Sequence, residues 1–593
     1  MAKFIVAIET VKIKEFLFST NKLRVIRGAS YLLDYLNQVE VPKILKKDKR
    51  VEDKDIIYVG AGNAKFFVKR ETKEEAEQLV KKIIKEVKET YEKEAPGVKV
   101  AAVYKEKTDS EKVWDSLEEL SKYTAIEKSK GFSTLNIDLP FVEKCELSGT
   151  EVAEIDYYNL EEDLVKLGYS LDENYILLSD YNKTDNDAID KVKIEVLKDH
   201  IKKVAKTTGR ISEGTLKKII ASELLKESSR AIYKKNDDEI KIIGFYRYLI
   251  EKYNLEIRST IDNFENEDSF IGFVYSDGDG LGDFFKNIKD VFIAADKRKV
   301  PNIEEEYLKF LKSFSTILDE VTKESLAKTL NEIFKGTDLE EPKRWGEFLI
   351  VGGDDVCAVF DPTLAIEISV KTQKKFEETM VVRMSDLSEE FTDSKLKEGI
   401  CKVKITSSSG VVIAKTKTPM FQLFKLGSKL QKNAKIERNG TKKDGELATT
   451  GFIDFQVIGS EGCVDIDEFR KNISSEDNKV LQRPYSIGKI EGVRPIETLI
   501  DTVVELKKSN FPSNKLRYIY NLKRNSDLEE FEKKMNFINV LSKMDKEHIE
   551  IIKKMGINYE NYDKFNENFK DIFDILEVYK FINEKDVAKE ENR

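Results

Sequence analysis

One order of apolar segments occurs twice in this 593-residue chain, and a duplicated order leaves few folds open. In the first copy a strand pattern at 3–9 precedes a helical pattern from about 12 to 36. Two short β runs, 56–59 and 65–68, flank Gly60-Ala61-Gly62-Asn63, and glycines between apolar runs signal a hairpin. A charged helix over about 73–94 and a strand at 98–104 close the unit. The order is βαββαβ, a ferredoxin-like arrangement. In the second copy a strand at 270–276 leads into helical segments reaching about 334. A hairpin of 347–351 and 356–360 turns on Gly352-Gly353-Asp354-Asp355, followed by a helix at about 364–379, a strand at 403–414 and a helix at about 420–436.

The chain therefore reads as α+β, with two ferredoxin-like units in tandem and helical middle and C-terminal domains. The expected divisions are 1–110 for the first unit, 111–265 for a linker and helical domain, 266–460 for the second unit and 461–593 for a helical domain. Within the middle, 132–155 is irregular and about 188–253 helical. By element order Glu9 falls near Asp277, and Asn63 and Ala64 fall near Asp354 and Asp355. The first copy has lost most of its acids and the second keeps a full set, so one half is expected to act and the other to support it.

Charge narrows the partners. The formal net charge is -9, so contact with a polynucleotide has to be local. The lysine-rich stretch 191–235 is one candidate, and a solvated face of two or three helices is the simpler reading. Cys145, Cys357, Cys401 and Cys463 are scattered, which fits a reducing cytoplasm and gives neither a disulfide framework nor a four-cysteine zinc site. No apolar run approaches the ~18 residues of a membrane span, so a cytoplasmic protein with no membrane contact is expected. The two histidines, His200 and His548, lie far apart and neither is followed by Asp. Histidine-rich metal chemistry is therefore not expected, which leaves carboxylates and lysines.

Those carboxylates stand in two motifs. Tyr275-Ser276-Asp277-Gly278-Asp279-Gly280-Leu281-Gly282 ends a buried strand on an acid and turns into a helix. Its glycines let a phosphate or metal approach the backbone, with Asp277 and the Gly278 carbonyl as metal ligands. Gly352-Gly353-Asp354-Asp355 sits between two buried strands, where adjacent carboxylates repel one another unless a cation neutralises them. A plain surface turn could carry either motif alone; together on neighbouring strands they point to hard oxygen ligands for two Mg²⁺ or Mn²⁺ ions. Such a pair activates a ribose 3′-hydroxyl and neutralises a triphosphate, which is nucleotidyl transfer at the α-phosphate. Asp277, Asp354 and Asp355 are the expected catalytic residues, with Asp277, Gly278 and Asp354 on metal. Gly278, Asp279, Gly280, Gly352 and Gly353 are expected at the nucleotide. Lys429, Lys432 and Lys435, three apart on a late helix, are candidates to face the phosphates, although solvation is the commoner explanation for any one of them.

These residues resemble the palm domains of the large subunit of type III CRISPR effector complexes, the cyclic-oligoadenylate synthases. Residues 16–24 and 26–30 look like the start of that family's first, degenerate palm, and Gly60–Asn63 like its altered hairpin. Asp277-Gly-Asp-Gly and Gly352-Gly-Asp-Asp are similar to the metal site of its second palm, and 409–414 with the lysine helix completes the likeness. The resemblance covers most of 1–460. It implies two ATP molecules meeting between the palms, joined 3′–5′ into a second messenger for antiviral defence. It also implies partnership with other subunits, crRNA and target RNA. Lys429 matches the triphosphate-contacting lysine of related cyclase palms, with Lys432 beside it. The sequence opens directly at the first palm and lacks the histidines, so the family's histidine-aspartate nuclease activity is not expected to carry over. It departs from the family again at Cys145-Glu-Leu-Ser148-Gly149, which looks like a Cys-x-x-Cys-Gly zinc module that has lost its second cysteine, so no zinc is expected. A GTP-using dinucleotide cyclase and a catalytically idle scaffold subunit are the competing readings; tandem non-identical palms argue against the first and intact acids against the second.

Overall fold

The structure is a computed structural model that describes residues 2–60, 62–130, 142–177, 191–226, 232–234, 240–242, 244–258, 269–339, 341, 343–443, 446–447, 449–459, 465–474, 479–555 and 569–583. Ala61, Cys463, Lys235 and parts of the segments 132–155 and 188–253 lie outside them.

The first unit holds four strands, β1 (Ala2–Val11), β2 (Ile56–Gly60), β3 (Asn63–Arg70) and β4 (Lys99–Glu106), paired antiparallel in the order β2-β3-β1-β4. Its helices are α1 (Leu23–Tyr35), α2 (Lys73–Glu94) and α3 (Val113–Ser129). The helical run expected over 12–36 is broken, because a short helix at Ile13–Leu17 stops before α1 begins. Helix α2 shows why the sequence folds locally as it does. Thr72 caps its first turn by accepting from the Glu75 N–H at 3.3 Å. Ala76, Val80, Ile83, Val87 and Tyr91 then fall on one buried stripe.

The second unit repeats the pattern with β5 (Phe270–Gly278), α4 (Leu281–Lys297), α5 (Ile303–Phe334), β6 (Gly346–Gly352), β7 (Asp355–Phe360), α6 (Ala365–Glu389), β8 (Ser407–Lys415), α7 (Met420–Gly440) and β9 (Phe452–Ile458). Its sheet runs β6-β7-β5-β8-β9, and a short strand β10 (Tyr485–Ser486) adds a sixth member. That strand comes from a segment expected to be helical. The middle segment is likewise mixed: short strands at Lys191–Lys193, Arg210–Ile211, Ile232–Lys234 and Ile240–Ile242 interrupt helices at Ile194–Val204, Glu213–Lys226 and Phe245–Tyr253. Among the described residues no helix is long and apolar enough to cross a membrane.

Strand register makes the duplication quantitative. Glu9 pairs with Asn63 and Gly60 with Asn63 in the first unit. Ser276 pairs with Val356 and Gly352 with Asp355 in the second. Asn63 therefore corresponds to Asp355 and Gly62 to Asp354, one residue away from the alignment expected by element order. Both hairpins also carry a bulge at the corresponding place, between Ile56 and Tyr58 and between Phe348 and Ile350. Helix α7 lies close on the second sheet. A Cβ added to Gly410 would sit 2.2 Å from the Gly427 carbonyl oxygen, so glycine is needed there to bring α7 over the end of β5.

The two units are joined by buried polar contacts. Arg27 of α1 reaches Glu347 of β6 at 3.3 Å, and both side chains are nearly inaccessible. Tyr246 adds a hydrogen bond to Glu347 Oε2 at 3.2 Å.

Candidate functional site

The ends of β5 and of the β6–β7 hairpin meet. Strand β5 is buried along almost its whole length and delivers Asp277 at its end, while the hairpin delivers Asp354 and Asp355. Asp354 closes on the residue after Asp277, its Oδ2 only 3.2 Å from where a Gly278 Cβ would stand. A Cβ on Gly278 would lie 3.0 Å from Asp354 Cβ, so glycine is what lets that carboxylate close over the strand end. Gly353 takes a left-handed φ of 62° and is pinned to α5. Its N–H donates to Asp319 at 2.9 Å, and its carbonyl accepts from Thr322 Oγ1 at 2.7 Å. Neither α5 residue stands out in the sequence.

Charge is crowded here. Burial, then Asp277, then Asp355 push Asp354 up to about 8 from an ordinary 3.8. Asp355 is raised as well, by burial first and Asp277 second, against the pull of Lys14 and a hydrogen bond from Tyr275. The compensating cation is Lys435. Its ammonium donates to Asp277 Oδ2 at 2.5 Å and to the Gly278 carbonyl at 2.6 Å. Gln431, one turn earlier on α7, donates to the same Asp277 oxygen at 3.3 Å.

Other expected members of the site stand elsewhere. Lys429 pairs with Asp465 at 3.1 Å and Asp467 at 2.9 Å, so α7 turns it toward a different helix. Lys432 is exposed. Lys435 is the lysine of the three that reaches the acids. Asp279 points inward: it is 4% exposed and accepts from Thr406 Oγ1 at 2.7 Å and Ser408 Oγ at 3.0 Å, with Arg438 at 3.3 Å. It braces β5 against the strand beside it. Gly280, with φ 64°, opens α4, and Gly352 lies against Asp319. Cys145 is buried against Thr215 at 3.4 Å. In the lysine-rich stretch, Lys218 is 1% exposed and donates to the Phe16 carbonyl at 3.1 Å and to Ser19 at 2.9 Å, which makes it part of the packing between helices.

The first unit repeats half of this arrangement. Glu9 corresponds to Asp277 and is held by Lys128 of α3, which lies at the same interval beyond Ala101 as Lys435 lies beyond Ser408 in the paired strands. The partner acids are gone, replaced by Gly62 and Asn63. Glu9→Gln is therefore expected to cost less than about 1 kcal/mol of stability and to leave turnover close to wild type; loss of all activity in a rate assay would make the first unit catalytic. The two turns face one another across a cavity of about 310 Å³ lined by Lys14, Asn63, Asp354 and Asp355 among others. A larger cleft of about 730 Å³, lined by Lys43, Lys46, Lys47 and Lys93, shares no residue with the acids.

Residues 270–444 match the family model described as Cas10/Cmr2, second palm domain. This part of the chain is similar to a Cas10/Cmr2 second palm domain. No curated protein matches the chain. Among solved structures, Csm1 from T. onnurineus aligns at 12% identity and a TM-score of 0.47, over 98% of this chain and 70% of its own. A Csm1-Csm4 cassette in complex with one ATP aligns at 13% and 0.47 over the same shares, and one in complex with cA3 at 12% and 0.45, again over 98% and 70%.

Among the described residues no three His, Cys, Asp or Glu side chains stand close enough to hold a metal ion as they are placed. The second palm still offers an oxygen-only donor set in Asp277, Asp354 and the Gly278 carbonyl. A cationic group, the Lys435 ammonium, already sits on two of those three donors. The set fits a hard divalent cation.

This charge balance has a pH signature. A carboxyl raised on folding keeps its proton where the unfolded chain has lost it, so stability falls as pH rises from about 4 toward about 8. A divalent cation needs the deprotonated form. Melting curves in chelator should thus decline across that window, and Mg²⁺ or Mn²⁺ should raise the melting temperature more at pH 8 than at pH 5. An equal gain at both pH values would count against the carboxylates as ligands.

Proposed function

We propose that the chain is a nucleotidyltransferase that joins ATP into a cyclic oligoadenylate second messenger, as a palm subunit of a type III CRISPR antiviral effector. The reading is carried by one observation, the close approach of Asp354 to the end of β5 at Gly278, beside Asp277, within the segment that matches the second palm. Asp277, Asp354 and the Gly278 carbonyl would hold Mg²⁺ or Mn²⁺, which when bound supplies positive charge to a 3′-hydroxyl and a triphosphate.

The chain's own groups do the rest. Lys435, whose ammonium reaches Asp277 and the Gly278 carbonyl, would offer its charge to incoming phosphate oxygens. Gln431 would keep Asp277 oriented. Asp319 and Thr322 hold the turn so that two mutually repelling acids stay at its tip. The cavity between the two turns places a second nucleotide opposite the first, which makes the joining step effectively intramolecular. ATP is the substrate of this proposal, with crRNA, target RNA and other effector subunits as partners.

The test is incubation of the full chain with labelled ATP or GTP and Mg²⁺ or Mn²⁺, alone and with an RNA-loaded effector, followed by mass spectrometry. Adenylate phosphodiesters that vanish in Asp354→Ala/Asp355→Ala are the expected result. Guanylate products would move the reading to a GTP cyclase, and no product under any of these conditions would leave a scaffold.

A further inference from the structure

A lysine of the first unit reaches an acid of the second palm through one tyrosine. Lys14 stands on the short helix Ile13–Leu17, just after β1, and its ammonium donates to the Tyr275 hydroxyl at 2.7 Å. That hydroxyl donates to Asp355 Oδ1 at 2.8 Å. Tyr275 is 2% exposed, on the same face of β5 as Asp277 two residues on. Its ring meets Phe424 of α7 edge-on at 5.4 Å, and Phe424 is in turn stacked on Phe18 of the first unit at 4.6 Å. Lys14 and Phe18 are one helical turn apart, so one face of the first unit supplies both contacts.

The chemistry of the three groups fixes the direction of the chain. An ammonium has donors only, and a hydroxyl has a single proton. Once Lys14 donates to the tyrosine oxygen, the tyrosine proton can satisfy a second partner, and Asp355 is the acceptor beside it. Asp355 Oδ1 is thereby held on Tyr275, which turns the carboxylate of the adjacent Asp354 toward Asp277 without competition from its neighbour. The corresponding positions in the first unit are Ala7 and Asn63, so the chain exists in one half only.

Resting on the function proposed above, we infer that Lys14 and Tyr275 are positioning residues that orient Asp355, so that the divalent site of the second palm is complete only when the first unit is docked on it. The proposal assigns the first unit a specific task beyond enclosing the cavity: it supplies the cation that orders an acid it no longer carries itself.

The test is Mn²⁺ binding to the full chain, followed by electron paramagnetic resonance, in wild type, Lys14→Met, Lys14→Arg, Tyr275→Phe, the Lys14→Met/Tyr275→Phe double variant and Asp277→Asn. Partners that orient ligands typically contribute about tenfold or more in metal affinity. Lys14→Met and Tyr275→Phe should each weaken Mn²⁺ by about that factor, and the double variant should be no weaker than the worse single one, because both break the same chain. Lys14→Arg keeps the charge and the donor and should stay near wild type. Unchanged affinity in Lys14→Met, or losses that add in the double variant, would overturn the inference. If Asp277→Asn is weakened at the same time, the proposed function survives that result. Wild-type affinity in Asp277→Asn would overturn both.

Discussion

Asp277→Asn is expected to lower nucleotide turnover by more than about 100-fold while the melting temperature stays level or rises. Asparagine keeps the size and the acceptor oxygen that Lys435 and Gln431 use, so the contacts that hold the end of β5 survive. What disappears is one negative charge beside Asp354, and that charge is the largest cause after burial of Asp354's upward shift. Relieving it removes a repulsion from the folded chain.

The same charge is what a divalent ligand set needs. Loss of a group that merely orients a ligand already costs about 10–100-fold, and loss of the ligand's own charge should exceed that. Initial rates with labelled ATP at saturating Mn²⁺, read beside thermal unfolding, separate the two roles. A packing residue would lose stability and activity together. Turnover within tenfold of wild type, or an unfolded variant, would remove Asp277 from the chemistry.

The sequence carried the scaffold of this site further than its side-chain detail. Both βαββαβ orders, and the placement of Asp277 on a strand beside a Gly-Gly-Asp-Asp hairpin, follow from periodicities that neighbouring chain enforces. Side-chain direction depends on phase, which periodicity fixes less tightly. Lys429, Lys432 and Lys435 share a spacing, yet at 3.6 residues per turn they fan around α7, and only Lys435 shares with Gln431 the face that meets Asp277. Alternation would set Asp279 beside Asp277, but β5 ends at Gly278 and Gly280 turns the chain at φ 64°, so Asp279 goes to Thr406 and Ser408 instead. The pairing of Asn63 with Asp355 depended on how many residues the hairpin turn consumes, and a Gly-rich turn leaves that number open. Tyr275 was the legible miss, since it stands two residues before Asp277 on the same strand face. Lys14 was not legible, because its role exists only once two units distant in sequence are packed together.

Glu347→Gln should be among the most destabilising single substitutions in the chain, at about 3–5 kcal/mol. Glu347 is 0% exposed and Arg27 4%. Burial opposes Arg27's charge most strongly, yet Glu347 at 3.3 Å, together with Tyr246 and Glu223, offsets it and raises the guanidinium's pKa. A neutral glutamine takes away that guanidinium's main counter-charge and leaves Ser222 at 3.5 Å, Tyr246 and the weaker pull of Glu223. In a unit of this size such a loss lowers the melting temperature by roughly 10 °C. The decisive comparison is Arg27→Met/Glu347→Leu, which removes both charges and restores apolar volume. Buried pairs replaced in this way are often neutral or stabilising, so the double variant should recover most of the loss in chemical denaturation. Recovery there, with Mn²⁺ affinity still weakened, would mean that the pair fixes how the first unit sits on the second palm as well as how firmly. A double variant as unstable as Glu347→Gln would instead mean that the geometry of the contact, more than its charge balance, holds the two units together.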